Sequence, residues 1–254
     1  MEQVDVDHGQ AFDFGRTSEA YARYRDIYPE EMYARLLRQG VGTRGSRWLD
    51  LGTGTGVVPR AMACHGAVII GTDISEAQIR QAEALSADLP NITYRVCPAE
   101  DTRLPGGSFD AVTACQCFWY FDPERIVPEI RRLLIPGGVF VKAYMTWTAE
   151  DPIARGSEAL VRELNPRWVS GAPAERDLEV HYFDHPVAES FEAALPFTRE
   201  SWHGRMLACR GVLGSMDSET AAVFEERHRE LLRALPERFT VRHRITLVSY
   251  RLEG

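Results

Sequence analysis

Between residues 47 and 145 short apolar runs alternate with amphipathic stretches, a pattern that βαβ units and a parallel sheet satisfy because each strand is covered on both faces. The apolar runs predict strands over 48–51, 68–73, 92–96, 109–114 and 139–144, with helices over 57–65 and 76–89. Asp122-Pro123 supplies a side-chain cap and a proline in the first turn of a further helix, and Pro136-Gly137-Gly138 stops it. Around this core, residues 17–39 read as helical with a break at Pro29, and residues 190–195 and 239–252 read as strands. Further helices are expected at 154–164, 198–211 and 218–235. The stretch 146–186 carries Pro152, Pro166 and Pro173 without a strong period and reads as an irregular insertion. The expected architecture is one α/β domain over residues 46–254, preceded by an N-terminal helical lid over residues 1–45, with the insertion and the helices at about 198–235 covering the substrate.

Composition narrows the function classes. A chain of 254 residues buries enough surface to fold without disulfides or metals. The five cysteines are irregularly spaced, which fits reduced thiols; Cys115-Gln116-Cys117 alone suggests a metal pair, and on an apolar strand structural thiols are expected instead. With 29 Lys and Arg against 37 Asp and Glu, the formal charge is -8, which argues against nucleic acid as the main partner. Apolar runs such as residues 67–70 are far shorter than the ~20 residues that span a bilayer, and the acidic start lacks a basic leader, so a cytoplasmic protein with no membrane partner is expected.

The strongest chemical signal is Leu49-Asp50-Leu51-Gly52-Thr53-Gly54-Thr55-Gly56, a glycine-rich turn between a strand and a helix, where a ligand can touch backbone amides unobstructed by Cβ atoms. The dinucleotide pattern G-x-G-x-x-G/A is not met, since Val57 stands where the third small residue belongs. Asp50 at the strand end would repel a pyrophosphate and attract a cation; two unit charges about 4 Å apart at an effective dielectric of ~20 interact by ~4 kcal/mol. Asp73, seventeen residues past Gly56 and at the end of the second strand, stands where a carboxylate accepts ribose hydroxyls. A nucleoside with a cationic tail fits these features, and S-adenosylmethionine is such a molecule.

Five ordered motifs then carry a resemblance: the loop 49–56, Gly71-Thr-Asp-Ile-Ser75, Ala99-Glu-Asp-Thr-Arg-Leu-Pro105, Ser108-Phe-Asp-Ala-Val112 and Leu134-Ile-Pro-Gly-Gly138. Over about residues 47–145 the chain resembles class I S-adenosylmethionine-dependent methyltransferases, and more particularly their small-molecule branch. The resemblance implies a doubly wound, mostly parallel seven-stranded sheet whose last strand is antiparallel. It assigns the Gly52–Gly56 loop, with Asp50 and Thr53, to the methionine part of the cofactor, Asp73 to the ribose and Ile74 to one face of the adenine. It also assigns Ala99 and Glu100 to the adenine edge and Cys115 to the cofactor amine. Tyr21 and Arg25, in Tyr21-Ala-Arg-Tyr-Arg25-Asp-Ile-Tyr28-Pro29, are similar to a lid pattern over the methionine carboxylate. Trp119 stands where many relatives carry histidine.

For the acceptor side, Phe118-Trp119-Tyr120-Phe121 follows the fourth strand, and at most two of these rings are expected in the pocket, with Trp119 and Tyr120 chosen. Trp147 and Trp202 complete the expected aromatic wall. His203 is the candidate general base, and Arg205 the candidate clamp for a polar acceptor. His181, His185 and His243 read as structural, and the run Glu225–Glu230 as a solvated helix face. The expected activity is methyl transfer to an O, N or S atom of a small molecule. A nicotinamide-dependent oxidoreductase and a non-catalytic S-adenosylmethionine-binding protein are the alternatives.

Overall fold

A computed structural model describes residues 7–25, 27–169 and 182–252. His181 and the middle of the expected insertion lie outside the described residues. The sheet has seven strands: β1 (Arg47–Leu51), β2 (Val68–Asp73), β3 (Ile92–Val96), β4 (Phe109–Cys115), β5 (Leu134–Trp147), β6 (Val187–Thr198) and β7 (Arg238–Arg251). Their order is β3-β2-β1-β4-β5-β7-β6, and β7 runs antiparallel to both its neighbours while β1 to β5 are parallel. The chain therefore winds outward from β1 in both directions, and the crevice where the order reverses opens between the carboxyl ends of β1 and β4.

The period of two along each strand divides the core. Trp48 of β1 and Val139, Val141, Ala143 and Met145 of β5 pack on one face, while Leu49, Leu51 and Phe140 pack on the other. Helices α1 (Ser18–Tyr24), α2 (Glu30–Arg38), α3 (Val57–Met62), α4 (Glu76–Leu85), α5 (Pro123–Leu133), α6 (Pro152–Leu164), α7 (Arg199–Leu207) and α8 (Ser218–Arg233) surround the sheet. Their starts follow local chemistry. Pro29, extended at φ -70°, precedes α2, and Asp122, Asp151 and Asp217 cap α5, α6 and α8 with side-chain oxygens. Thr198 and Ser201 form a reciprocal capping pair at the start of α7.

Several element ends differ from expectation. β5 begins at Leu134 rather than Val139, because Pro136-Gly137-Gly138 does not leave the sheet: the Gly137 amide donates to Leu252 and the Leu252 amide to Gly138 across the β7 edge. Helix α4 stops at Leu85, where the Ser86 amide turns back to Glu83 and its hydroxyl meets Tyr94 at 2.9 Å. The helix expected over 198–211 ends at Leu207 and is followed by a wider turn, Arg210–Gly214. No helix among the described residues is long and apolar enough to cross a membrane.

Candidate functional site

A cavity of about 450 Å³ opens at the carboxyl ends of the central strands. Its floor is the turn after β1. Gly52 and Gly54 hold φ of +62° and +56°, a region that side chains disfavour, and a Cβ on Gly52 would lie 2.7 Å from the Cys117 sulfur. The Gly54 amide donates to Asp73 Oδ2 at 2.9 Å and the Ser75 amide to Oδ1 at 2.9 Å, so the carboxylate ties the ends of β1 and β2 together. Burial raises the Asp73 pKa above its ordinary value, opposed by these amides. Beside it Ile74 is 77% exposed, an apolar face turned into the cavity rather than the core.

Three residues of the turn face inward instead. Asp50 is 2% exposed and accepts from Thr113 at 2.5 Å, its cross-strand partner on β4, and from Thr53 at 2.7 Å. Burial pushes its pKa up to about 6. The expectation that Asp50 faces a cationic ligand is thus corrected: its charge is spent holding the strand ends and the turn. Thr53, bonded to it, is also buried. Gly56 begins α3 at φ +73°, and a Cβ there would collide with the Tyr94 ring, so this glycine answers to packing.

Opposite the turn, Ala99 and Glu100 line the wall, and a Glu100 oxygen accepts from the Asp122 amide at 3.1 Å. Cys115, the last residue of β4, completes this side, its thiol kept protonated by burial. Tyr21 and Arg25 close over the turn. The Tyr21 ring lies 3.6 Å from where a Gly54 Cβ would stand, and the Arg25 guanidinium sits 4.7 Å from the centre of that ring.

The remaining wall is aromatic. Trp119 stacks on Tyr144 with centroids 5.3 Å apart, and Tyr120 packs against Phe12 and Phe14 while its hydroxyl accepts from Arg210 at 2.7 Å. Phe121 also lines the cavity, so three of the four consecutive rings do so and only Phe118 is core. Trp147, at the end of β5, donates its ring N–H to Glu158 and lies 5.1 Å from the Arg205 guanidinium.

Trp202 and His203 do not line this cavity. Trp202 is fully buried, donating to Ser157 at 2.9 Å and packing edge-on against Trp147 from behind. His203 is 1% exposed and its Nδ1 forms a hydrogen bond with His228 Nδ1 at 2.9 Å, while His228 Nε2 reaches Ser157 at 2.9 Å. Burial lowers His203 to about 4 and His228 to about 3. The expectation of His203 as a base facing the acceptor is corrected: α7 turns this side chain toward α8, and Arg205 toward the cavity. No histidine lines the cavity among the described residues.

Sequence reasoning missed Phe12, Phe14, Glu158 and Arg210. Arg210 meets Asp7 at 2.5 Å across 203 positions of sequence, a pairing without local signature. Phe12 and Phe14 left a fainter signal, two aromatic residues in an otherwise polar N-terminal stretch.

A family profile described as "Methyltransferase domain" matches residues 49–142, the segment that builds the turn, the Asp73 strand and the β4 wall. The chain carries a class I S-adenosylmethionine-dependent methyltransferase domain. It is 33% identical over 138 residues to an uncharacterized methyltransferase of Mycobacterium tuberculosis, covering 54% of this chain and 53% of the relative. It is 35% identical over 101 residues to the ubiquinone biosynthesis O-methyltransferase of Acinetobacter baumannii, covering 38% and 43%. The chain thus spans about half the length of the curated relatives it matches. A solved Anaeromyxobacter dehalogenans structure assigned as a type II methyltransferase superposes with a TM-score of 0.62 at 25% identity, over 90% of this chain and 98% of that one. The Haemonchus contortus phosphoethanolamine N-methyltransferase 2, solved with phosphomonomethylethanolamine and S-adenosylhomocysteine, shares the fold at a TM-score of 0.56 and 16% identity, over 94% and 58%.

Proposed function

We propose that the cavity seats S-adenosylmethionine across the β1 turn and that the chain transfers its methyl group to a small-molecule acceptor in the aromatic half. The observation that carries this reading is the union, in one cavity, of the Gly52 and Gly54 turn, the amide-held Asp73, the exposed Ile74 and the aromatic wall of Trp119, Tyr120 and Trp147. Asp73 keeps free lone pairs beyond its two amide bonds, as a ribose diol needs, and Ile74 offers a flat apolar contact to a base. Tyr21 and Arg25 would hold the methionine carboxylate, and Cys115 with the turn would flank its amine. When bound, the cofactor supplies an electrophilic methyl on a sulfonium.

The chain's own contribution is placement and exclusion of water. Positive charge disappears at sulfur as the new bond forms, so a dry, aromatic cavity that aligns both partners favours the transition state. The N-terminal stretch shuts one side: the Asp13 amide donates to Gly214, and Arg16 donates to Met216 at 2.8 Å. Calorimetry with S-adenosylhomocysteine and with NADH tests the cofactor reading; binding of the first and not the second is expected, and the reverse selects the oxidoreductase alternative. Methyl release on a compound panel, with cofactor binding in hand, separates an enzyme from a non-catalytic binder.

A further inference from the structure

Four arginines line the cavity among the described residues, and they divide into two kinds. Arg162 pairs with Glu158 at 2.9 Å and Arg210 with Asp7 at 2.5 Å. Arg25 and Arg205 meet no carboxylate among the described residues. Arg25 reaches the Tyr21 hydroxyl at 3.4 Å and lies over that ring. Arg205 is 3% exposed; its Nη1 touches the Cys209 thiol at 3.2 Å, its Nε has no hydrogen-bond partner, and its face rests against Trp147. Burial, with Arg25 nearby, lowers the Arg205 pKa to about 10, which leaves it charged at neutral pH. An uncompensated buried charge is strongly destabilising, so packing alone does not account for this side chain.

The two cations are close enough to repel each other, both lying near Tyr21 and Cys209, but they rest on different rings. Arg25 rides on Tyr21 above Gly54, at the end where the methionine carboxylate is seated. Arg205 stands against Trp147 at the end of β5. Two guanidiniums without a carboxylate partner among the described residues carry two positive charges, and one cofactor carboxylate neutralises one of them. Glu158, the acid nearest Trp147 in this wall, already accepts from the Trp147 ring and from Arg162, so it does not draw a cationic acceptor there.

Resting on the methyl-transfer reading above, we propose that Arg205 binds an oxyanion, carboxylate or phosphate, carried by the methyl acceptor, whose apolar body lies along Trp147 and Trp119. The guanidinium fork matches either group in a two-point hydrogen bond, and the Trp147 ring against its face holds the fork in place.

The test is calorimetric titration of the protein saturated with S-adenosylhomocysteine, using benzoate, phenyl phosphate, benzamide and benzyl alcohol as probes. At least one anion is expected to bind about tenfold or more tighter than both neutral compounds, and which anion binds identifies the oxyanion class. Arg205→Gln should weaken that anion about tenfold or more while S-adenosylhomocysteine affinity stays within about threefold, and Arg205→Lys, which keeps charge without the fork, should retain part of the binding. Neutral probes binding as well as the anions, or neither anion binding, overturns the proposal. So does a loss of S-adenosylhomocysteine affinity in Arg205→Gln as large as in Arg25→Gln, which would give both guanidiniums to the cofactor. A wild-type protein that does not bind S-adenosylhomocysteine overturns the cofactor reading itself, and this assignment with it. If Arg205→Gln does not fold, the wild-type preference between anions and neutral probes still decides.

Discussion

At the scale of single residues, Asp73 and His203 show how position outranks chemical type. Both are titratable and both follow a plausible sequence pattern, yet one faces the cavity and the other faces a second helix. Asp73→Ala is expected to weaken S-adenosylhomocysteine binding by about 1.5–3 kcal/mol, the range for hydrogen bonds involving a charged partner, with the fold checked by circular dichroism. His203→Ala should instead lower unfolding free energy by about 1–3 kcal/mol, because it leaves His228 Nδ1 without its partner in a closed space. Urea melts would show that loss. Cofactor affinity of the folded variant is expected to stay at the wild-type value, and a change there would return His203 to the cavity. His228 was partly legible: it falls on the stripe Ala221, Phe224 and Leu232 that α8 buries, although it sits within a charged run that reads as solvated.

At the scale of elements, what the sequence spells locally came through and what depends on distant partners did not. Strands β2 and β3 match their apolar runs from end to end, and α5 starts where Asp122-Pro123 says it should, because each is determined by neighbouring residues. The glycine turn was legible as a unit. Its division into Gly52 and Gly54 facing the cavity and Thr53 and Gly56 facing inward was not, because that depends on Thr113, which holds Asp50, and on Tyr94, both arriving from other strands. The faces of α7 were likewise unreadable, since its helix packs on both sides and no apolar stripe separates Arg205 from His203. Helix α1 packs closely on α7, where Tyr24 fills the space over Gly204. If Tyr21 and Arg25 close over the cofactor, hydrogen exchange in residues 17–25 should slow by about tenfold or more when S-adenosylhomocysteine is added, since a lid must open to admit its ligand. Equal protection with and without ligand would remove α1 from that role.

For the whole molecule, three buried histidines set the response to acid. His203, His228 and His243 are each at most 1% exposed, and burial, the largest cause for each, holds them at about 4, 3 and 4, against about 6.5 for an exposed imidazole. Folded pKa values below unfolded ones mean that the unfolded chain binds more protons, so this stability is full above pH 6.5 and is lost as pH falls toward 4 and 3. Each such proton contributes a slope of about 1.4 kcal/mol per pH unit within that window. Asp50 works in the opposite sense: its folded pKa of about 6 lies above its ordinary value, so protonating it favours the fold between those two values. Asp73, which burial also raises, acts in the same sense as Asp50, while Glu129 and Glu200, held below their ordinary values, side with the imidazoles, so the balance remains acid-labile. Unfolding free energy measured in urea is therefore expected to decline steadily from pH 7 to pH 4.5, by about 2 kcal/mol or more. In a folded His203→Gln, His228→Gln double variant the decline should flatten by roughly two protons' worth of slope, leaving His243 opposed by Asp50. A wild-type stability that is level or rises over that range would mean that these imidazoles are not held neutral by the fold.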